Sequence, residues 1–227
     1  ELLAGPGYDW VVSDTEHAVT DIPDTLAMLQ AMAPYPVSAV VRPASNDVVL
    51  IKRLLDLGAQ TLLIPYVQSA DEARSAVAAM RYAPRGIRGV AGMTRAGRFG
   101  LVPDYTRRAD EELCLIVQVE TAEALGQIEA IAAVEGVDGL FIGPADLAAS
   151  MGYPGQAAHP EVVAAIKDAV HRIVATGKPA GILTLDPVFA RTCIDWGTRF
   201  TALGMDIALL AHAARALVAG FRTPQTT

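Results

Sequence analysis

The sequence predicts a TIM-type (β/α)8 barrel, a single α/β domain spanning residues 1–227. Three observations carry that prediction. Short apolar, β-branched runs alternate with segments of helical period, seven times in succession. Those runs are apolar throughout rather than alternating, as parallel strands covered on both faces must be. No GxGxxG turn follows any of them, which argues against a doubly wound dinucleotide fold.

The strands are expected at residues 10–13, 37–42, 61–66, 114–120, 139–143, 179–184 and 200–204. The helices between them are expected at 22–32, 46–57, 70–82, 122–133, 160–176, 187–196 and 207–221. Ser69 with Glu72 forms a capping box, and Asp186-Pro187 puts proline at a first helical position. Gly58, Gly136, Gly177 and Gly197 stand where helices should stop. The polar, glycine-rich segment 84–112 reads as a βα excursion over the active face. A closed barrel needs eight strands and seven are found, so the first is expected upstream of Glu1, with roughly 25 to 30 residues missing. Residues 1–5 would then end the first helix.

Composition bounds the function. Hydrophobic residues make up 52% and charged residues 19% of the chain, which excludes intrinsic disorder. A net charge of -7 without a basic stripe argues against a nucleic-acid partner. No apolar run approaches the roughly 20 residues that span a bilayer, so no membrane partner is expected. Cys114 and Cys193 read as reduced, buried residues, in keeping with a cytoplasmic location.

Polar residues recur at the ends of the predicted strands. Asp14, Arg42, Gln118, Glu120 and Asp146 all lie there, and in a barrel every strand end opens on one face. Glu120 and Asp146 suit either a proton-transfer pair or a site for an oxygen-preferring ion such as Mg²⁺ or Mn²⁺. Helix capping is the plainer role for each, but two such carboxylates beside Arg42 favour the metal. His17, in Asp14-Thr15-Glu16-His17, becomes a better base if Asp14 fixes its tautomer. Arg42 faces either an anion, such as a developing oxyanion, or a salt bridge to Asp14 or Glu16. Arg88, Arg95 and Arg98 either steer an anionic substrate or serve as loop charges or subunit contacts. His159, His171 and His212 read as structural or solvent-facing.

Lysine usage removes one mechanism. A Schiff-base aldolase needs a strand lysine in the barrel mouth. Lys52 and Lys167 fall in helices, and Lys178 precedes its strand at the opposite end. Carbanion chemistry here would require a metal.

Five stretches together resemble the HpcH/HpaI aldolase family, particularly its 4-hydroxy-2-oxoheptanedioate aldolase-like members. They are Asp14-Thr15-Glu16-His17-Ala18, Val41-Arg42-Pro43, Gly86-Ile87-Arg88-Gly89-Val90, Val117-Gln118-Val119-Glu120-Thr121, and the run from Gly136 through Gly143-Pro144-Ala145-Asp146-Leu147. The resemblance covers residues 4–221 in unbroken order. It implies a class II, divalent-metal pyruvate aldolase on a modified barrel of the phosphoenolpyruvate/pyruvate superfamily. Glu120 and Asp146 would then hold Mg²⁺, Mn²⁺ or Co²⁺, Arg42 would stabilise an enolate, and His17 with Asp14 would move the proton. Gln118 and the backbone at Ala145 and Asp146 would bind pyruvate, and Leu183 would lie near the aldehyde. The sequence departs from the family pattern at Thr15, often Gly in relatives, and at Gly97 of Arg95-Ala96-Gly97-Arg98, where relatives have Ser.

The resemblance also implies a homo-oligomer, a hexamer built as a trimer of dimers, with the helix at 207–221 exchanged between subunits. Two alternatives stand beside this reading: a malyl- or citramalyl-CoA lyase of the same superfamily, and a non-catalytic barrel that binds a small anion.

Overall fold

The structure, a computed structural model, describes residues 1–222. Seven parallel strands form one sheet whose spatial order is their order in sequence. They are β1 (Trp10–Asp14), β2 (Ser38–Arg42), β3 (Thr61–Ile64), β4 (Cys114–Val119), β5 (Gly139–Ile142), β6 (Ala180–Leu183) and β7 (Thr198–Ala202). The helices are α1 (Ile22–Met32), α2 (Val48–Asp56), α3 (Ala70–Met80), α4 (Tyr105–Arg108), α5 (Ala122–Leu125), α6 (Ile128–Ala132), α7 (Pro144–Ser150), α8 (Pro160–Ala175), α9 (Pro187–Trp196) and α10 (Asp206–Arg222). None of these helices is long and apolar enough to cross a membrane.

The helix starts follow from short polar side chains. Asp21 and Asp24 close a reciprocal capping box at α1, and Asp186 caps α9 with Pro187 at its first position. Ser69 accepts the Glu72 N–H at 3.2 Å, while the Glu72 carboxylate turns to the N–H of Gln68 instead of closing the expected box. Gly197 ends α9 at φ +118°, a conformation costly for any residue with a Cβ, and lets β7 begin at once.

Both faces of the sheet are covered, which accounts for the uninterrupted apolar strands. Val41, Leu62, Ile64, Val117, Val119, Leu140, Ile142 and Ile182 face the helices and are almost fully buried. Each such side chain contributes about 1.5–3 kcal/mol of transfer free energy. Val40, Leu63 and Phe141 turn inward and pack with Trp10, Val12, Ile116, Leu183, Phe200 and Ala202, contributed by all seven strands. The Trp10 ring of β1 meets the Phe200 ring of β7 edge-to-face at 6.4 Å, so the sheet curls until its two edge strands touch through side chains. An inner cavity of about 310 Å³ opens at the strand starts beside these rings.

The closed eight-stranded barrel is therefore met only in part. Among the described residues the fold is a curled seven-stranded parallel sheet, and β1 and β7 do not pair with each other.

Segment 84–112 corrects a second expectation. It follows α3 and precedes β4, so it joins a helix to a strand and lies at the strand starts, away from the strand ends. The reason is geometric: α3 carries the chain back down the outside of the sheet before this segment begins. Two arginines fasten it there. Arg88, with its side chain fully buried, contacts Asp56 at 2.7 Å and stacks on Tyr82, and Arg95 donates to the Leu57 carbonyl at 2.7 Å. Both serve this junction of α2 and cannot steer a substrate at the opposite face of the same chain.

Candidate active site

The strand-end residues do converge. Asp14 and Arg42 close β1 and β2 and are register partners on adjacent parallel strands, so their side chains leave the same face. Arg42 donates from Nε to Asp14 Oδ1 at 2.8 Å and from Nη2 to Oδ2 at 2.6 Å, a bidentate pair. Its Nη1 lies 2.9 Å from Glu16 Oε2 and 3.4 Å from Gln118 Oε1. The turn after β1 is fixed by Thr15, whose backbone N–H and hydroxyl both donate to the Arg42 carbonyl, at 3.0 and 2.8 Å. Thr15 thus holds the loop that presents Glu16 and His17.

The expected pairing of Asp14 with the His17 ring is not what the structure shows. Both Asp14 oxygens are engaged by Arg42, and Oδ1 also accepts the backbone N–H of Glu16 at 3.0 Å. The carboxylate near the ring belongs to Glu16, with Oε2 3.7 Å from His17 Nε2. The His17 side chain is 65% exposed and stands at the open rim. β1 runs through Asp14 in register with Arg42, so its carboxylate meets the bidentate guanidinium and not the exposed imidazole.

Glu120, just past β4, is 2% exposed. Its Oε1 accepts the Tyr66 backbone N–H at 2.8 Å, and its Oε2 accepts a hydrogen bond from the Gln118 side-chain amide. Tyr66 makes that contact in the left-handed region, at φ +54°, rare for a bulky residue and typical of strain held at a functional site. Gly143 at the end of β5 is needed for close approach, since a Cβ there would stand 2.3 Å from Glu120 Oε2. Neither carboxylate of the predicted metal pair is a helix cap. Thr121 caps α5, Gly143 is the N-cap position of α7, and Asp146 lies exposed in the first turn of α7, where negative charge is favoured. Ala145 is exposed beside it, and Leu183 ends β6 within the inner cluster.

The protonation equilibria follow from this packing. Burial alone would raise the Asp14 carboxyl, but the Arg42 hydrogen bonds and charge, with the N–H groups of Glu16 and His17, hold it below its ordinary value. For Glu16 burial prevails over the charges of Arg42 and His17, and its carboxyl is pushed up. Burial likewise raises Glu120 against its Gln118 and Tyr66 hydrogen bonds, with the charges of Asp146 and Glu16 adding to the rise. Both cysteine thiols are pushed up to about 11, chiefly by burial, so neither offers a thiolate nucleophile. His159 caps α8 and stacks on Tyr153, a structural role, and His171 and His212 are solvent-facing.

The donor set fits a divalent ion. Among the described residues no group of three or more His, Cys, Asp or Glu side chains could hold a metal alone. Two hard carboxylates, each oxygen of Glu120 retaining a lone pair, would leave most of a shell to water and substrate, the usual arrangement for Mg²⁺-like ions. The repulsion between Asp146 and Glu120 is what such a cation would relieve.

Three residues of the site carry little signal in the sequence. Glu16 was visible only as a possible partner of Arg42, while Tyr66 acts through its backbone and Gly143 through the absence of a side chain. Only Pro65 before Tyr66 and Pro144 after Gly143 hint at constrained backbone there.

The chain is similar to known proteins along nearly its whole length. The family model for HpcH/HpaI aldolase/citrate lyase matches residues 1–213. A pyruvate aldolase of Rhizobium etli is 64% identical over 223 residues, covering 98% of this chain and 88% of that protein. A 4-hydroxy-2-oxo-heptane-1,7-dioate aldolase of Shigella boydii is 53% identical, covering 100% and 87%. Among solved structures, an HpcH/HpaI aldolase/citrate lyase family protein from Burkholderia cenocepacia superposes with a TM-score of 0.94 at 40% identity, covering 98% of this chain and 89% of that one.

Proposed function

Since this chain belongs to the HpcH/HpaI aldolase/citrate lyase family, we propose that it is a lyase on a (β/α)8-type scaffold. Its reaction would be the reversible aldol cleavage of 4-hydroxy-2-oxo acids into pyruvate and an aldehyde. The observation that carries this reading is the grouping of the paired Asp14–Arg42, Glu16, Gln118 and the buried Glu120 at the ends of β1, β2 and β4, with His17 at the rim. The relatives named as aldolases support the reaction class.

Glu120 and Asp146 would hold a divalent ion, with Mg²⁺, Mn²⁺ and Co²⁺ as candidates. When bound, such an ion supplies Lewis-acid polarisation of the substrate's C2 carbonyl. His17, open to solvent at the rim, takes the proton from the C4 hydroxyl as a general base. The C3–C4 bond then breaks, its electron pair entering the C2–C3 enolate while C4 becomes the aldehyde carbonyl. Arg42 presents fixed positive charge to the enolate oxygen, oriented beforehand by Asp14 and therefore without reorganisation during the step. Protonation at C3 releases pyruvate. Gln118 orients both Arg42 and Glu120, the backbone at Ala145 and Asp146 faces the pyruvate carboxylate, and Leu183 borders the aldehyde. Both cysteines are free, Cys193 buried and Cys114, against expectation, only half-buried at the start of β4, which accords with a cytoplasmic enzyme.

The test is turnover of free 4-hydroxy-2-oxo acids before and after exhaustive chelation, with Mg²⁺, Mn²⁺ and Co²⁺ added back singly. Loss and recovery of pyruvate release supports the reading. Full activity after chelation overturns the metal mechanism, and turnover of CoA thioesters alone makes the chain a lyase of the acyl-CoA type.

The same proposal includes a homo-oligomer, a hexamer as a trimer of dimers. α10 supports it: the helix has no buried residue, and Leu210, Leu217 and Phe221 are largely exposed, so its apolar face does not pack on its own barrel. Light scattering that shows a monomer overturns this part.

A further inference from the structure

We infer that Glu16 is a positioning residue that links Arg42 to His17 and acts on the reaction through the imidazole. This rests on the aldolase reading above and adds a role to it. Glu16 Oε2 lies between the two groups, 2.9 Å from Arg42 Nη1 and 3.7 Å from His17 Nε2. The atom is buried yet makes no hydrogen bond of proper geometry, so its acceptor capacity is unspent. Its own backbone is pinned, because the Glu16 N–H donates to Asp14 Oδ1 at 3.0 Å. Among the described residues it is the carboxylate that reaches the His17 ring, since Asp14 is committed to Arg42.

The charges give this placement a purpose. Arg42 carries one positive charge against the carboxylates of Asp14 and Glu16. When His17 takes the C4 hydroxyl proton it becomes a cation at the rim, and negative charge develops at the enolate oxygen facing Arg42. A carboxylate between them shifts from Nη1 toward the imidazolium as the enolate oxygen claims the guanidinium. Asp14 keeps its two-point grip meanwhile, so Arg42 does not move. One side chain thereby stands ready beside the neutral ring before the step and neutralises it afterwards.

The experiment is a double-mutant cycle with Glu16→Gln, His17→Ala and the double variant, each metal-loaded and assayed for kcat and KM in cleavage of a 4-hydroxy-2-oxo acid. Glu16→Gln alone should lower kcat about tenfold to a hundredfold and leave the KM for substrate within about twofold. In the His17→Ala background the same change should have almost no further effect, because its route to the reaction is gone. Glu16→Asp, which retains the charge, should recover part of the loss. Independent, multiplying effects overturn the inference, as does an unaltered kcat in Glu16→Gln. Loss of fold in both Glu16 variants makes the role structural and overturns it too. A wild-type protein without cleavage activity overturns the aldolase reading itself, a different outcome from an active wild type with multiplying effects.

Discussion

Arg42 and Asp14 are register partners on adjacent parallel strands and meet in a two-point pair at 2.8 and 2.6 Å. The guanidinium fork matches the carboxylate plane, and the sheet fixes both backbones, so the cation is aimed before any ligand arrives.

Arg42→Lys is expected to be far from conservative. An ammonium cannot span both Asp14 oxygens and also reach Glu16 and Gln118, so the positive charge loses its fixed direction. Steady-state kinetics should show kcat lower by roughly 100-fold, as for loss of an oxyanion donor. A change confined to KM would show that Arg42 binds substrate without stabilising the transition state.

Asp14 makes stability depend on acid. Its carboxyl is held below the ordinary value of 3.8, so its contribution is present above that value and is lost as pH falls through the folded-state value. Asp14→Asn should therefore be less stable than wild type at pH 6, by about 1 kcal/mol after allowance for partial exposure. The gap should narrow toward pH 3. Urea unfolding at both pH values checks this, and a gap that widens in acid would reverse the assignment.

Gly143→Ala tests the closeness of the end of β5 to Glu120, the carboxylate proposed to hold the metal. The backbone there is ordinary, at φ -98°, so strain is not the issue. A methyl group would lie 2.3 Å from Glu120 Oε2 and 2.8 Å from its Cβ, and Glu120 must move. Calorimetry should show Mn²⁺ affinity down by about 10- to 100-fold, the usual effect of disturbing a ligand's support. Thermal unfolding should show a destabilisation of about 1–3 kcal/mol. Unchanged metal affinity would mean that Glu120 tolerates displacement.

Much of this was legible in the sequence because parallel strands buried on both faces leave a strong apolar signal. All seven predicted strands are present, and α1 and α9 match residue for residue. The errors have physical causes. The helix expected at 122–133 breaks into α5 and α6 at Gly126 and Gln127, and the seven-residue α7 is too short to show a helical period. Segment 84–112 lies at the strand starts and not over the strand ends, because polarity and glycine mark a loop without marking its side of the sheet. The convergence of Asp14, Arg42, Gln118 and Glu120 was legible from their places at strand ends. Which of them pair was not, because register between strands decided it: Asp14 faces Arg42, and His17 is left to Glu16.

Glu120 reverses the sign found at Asp14. Its carboxyl is raised above the ordinary 4.5, chiefly by burial, with the charges of Asp146 and Glu16 adding to it. A raised carboxyl contributes stability that is fully present below the ordinary value and lost as pH rises through the folded-state value. Burial thus disfavours the charged form of this 2% exposed carboxylate, which stands beside other carboxylates. Removing that charge should help the fold and harm the function, a common trade at active sites. Glu120→Gln keeps an oxygen for the Tyr66 N–H, but the Gln118 amide must turn over to accept from the new amide and so gives up its long contact with Arg42 Nη1. In chelator at pH 7 it should be more stable than wild type by about 1 kcal/mol, an advantage that disappears near pH 4. With saturating Mn²⁺ the order should invert, because the wild type gains binding free energy that the variant cannot. A variant less stable than wild type at pH 7 without metal would show that the Gln118 and Tyr66 hydrogen bonds outweigh the cost of burying the charge.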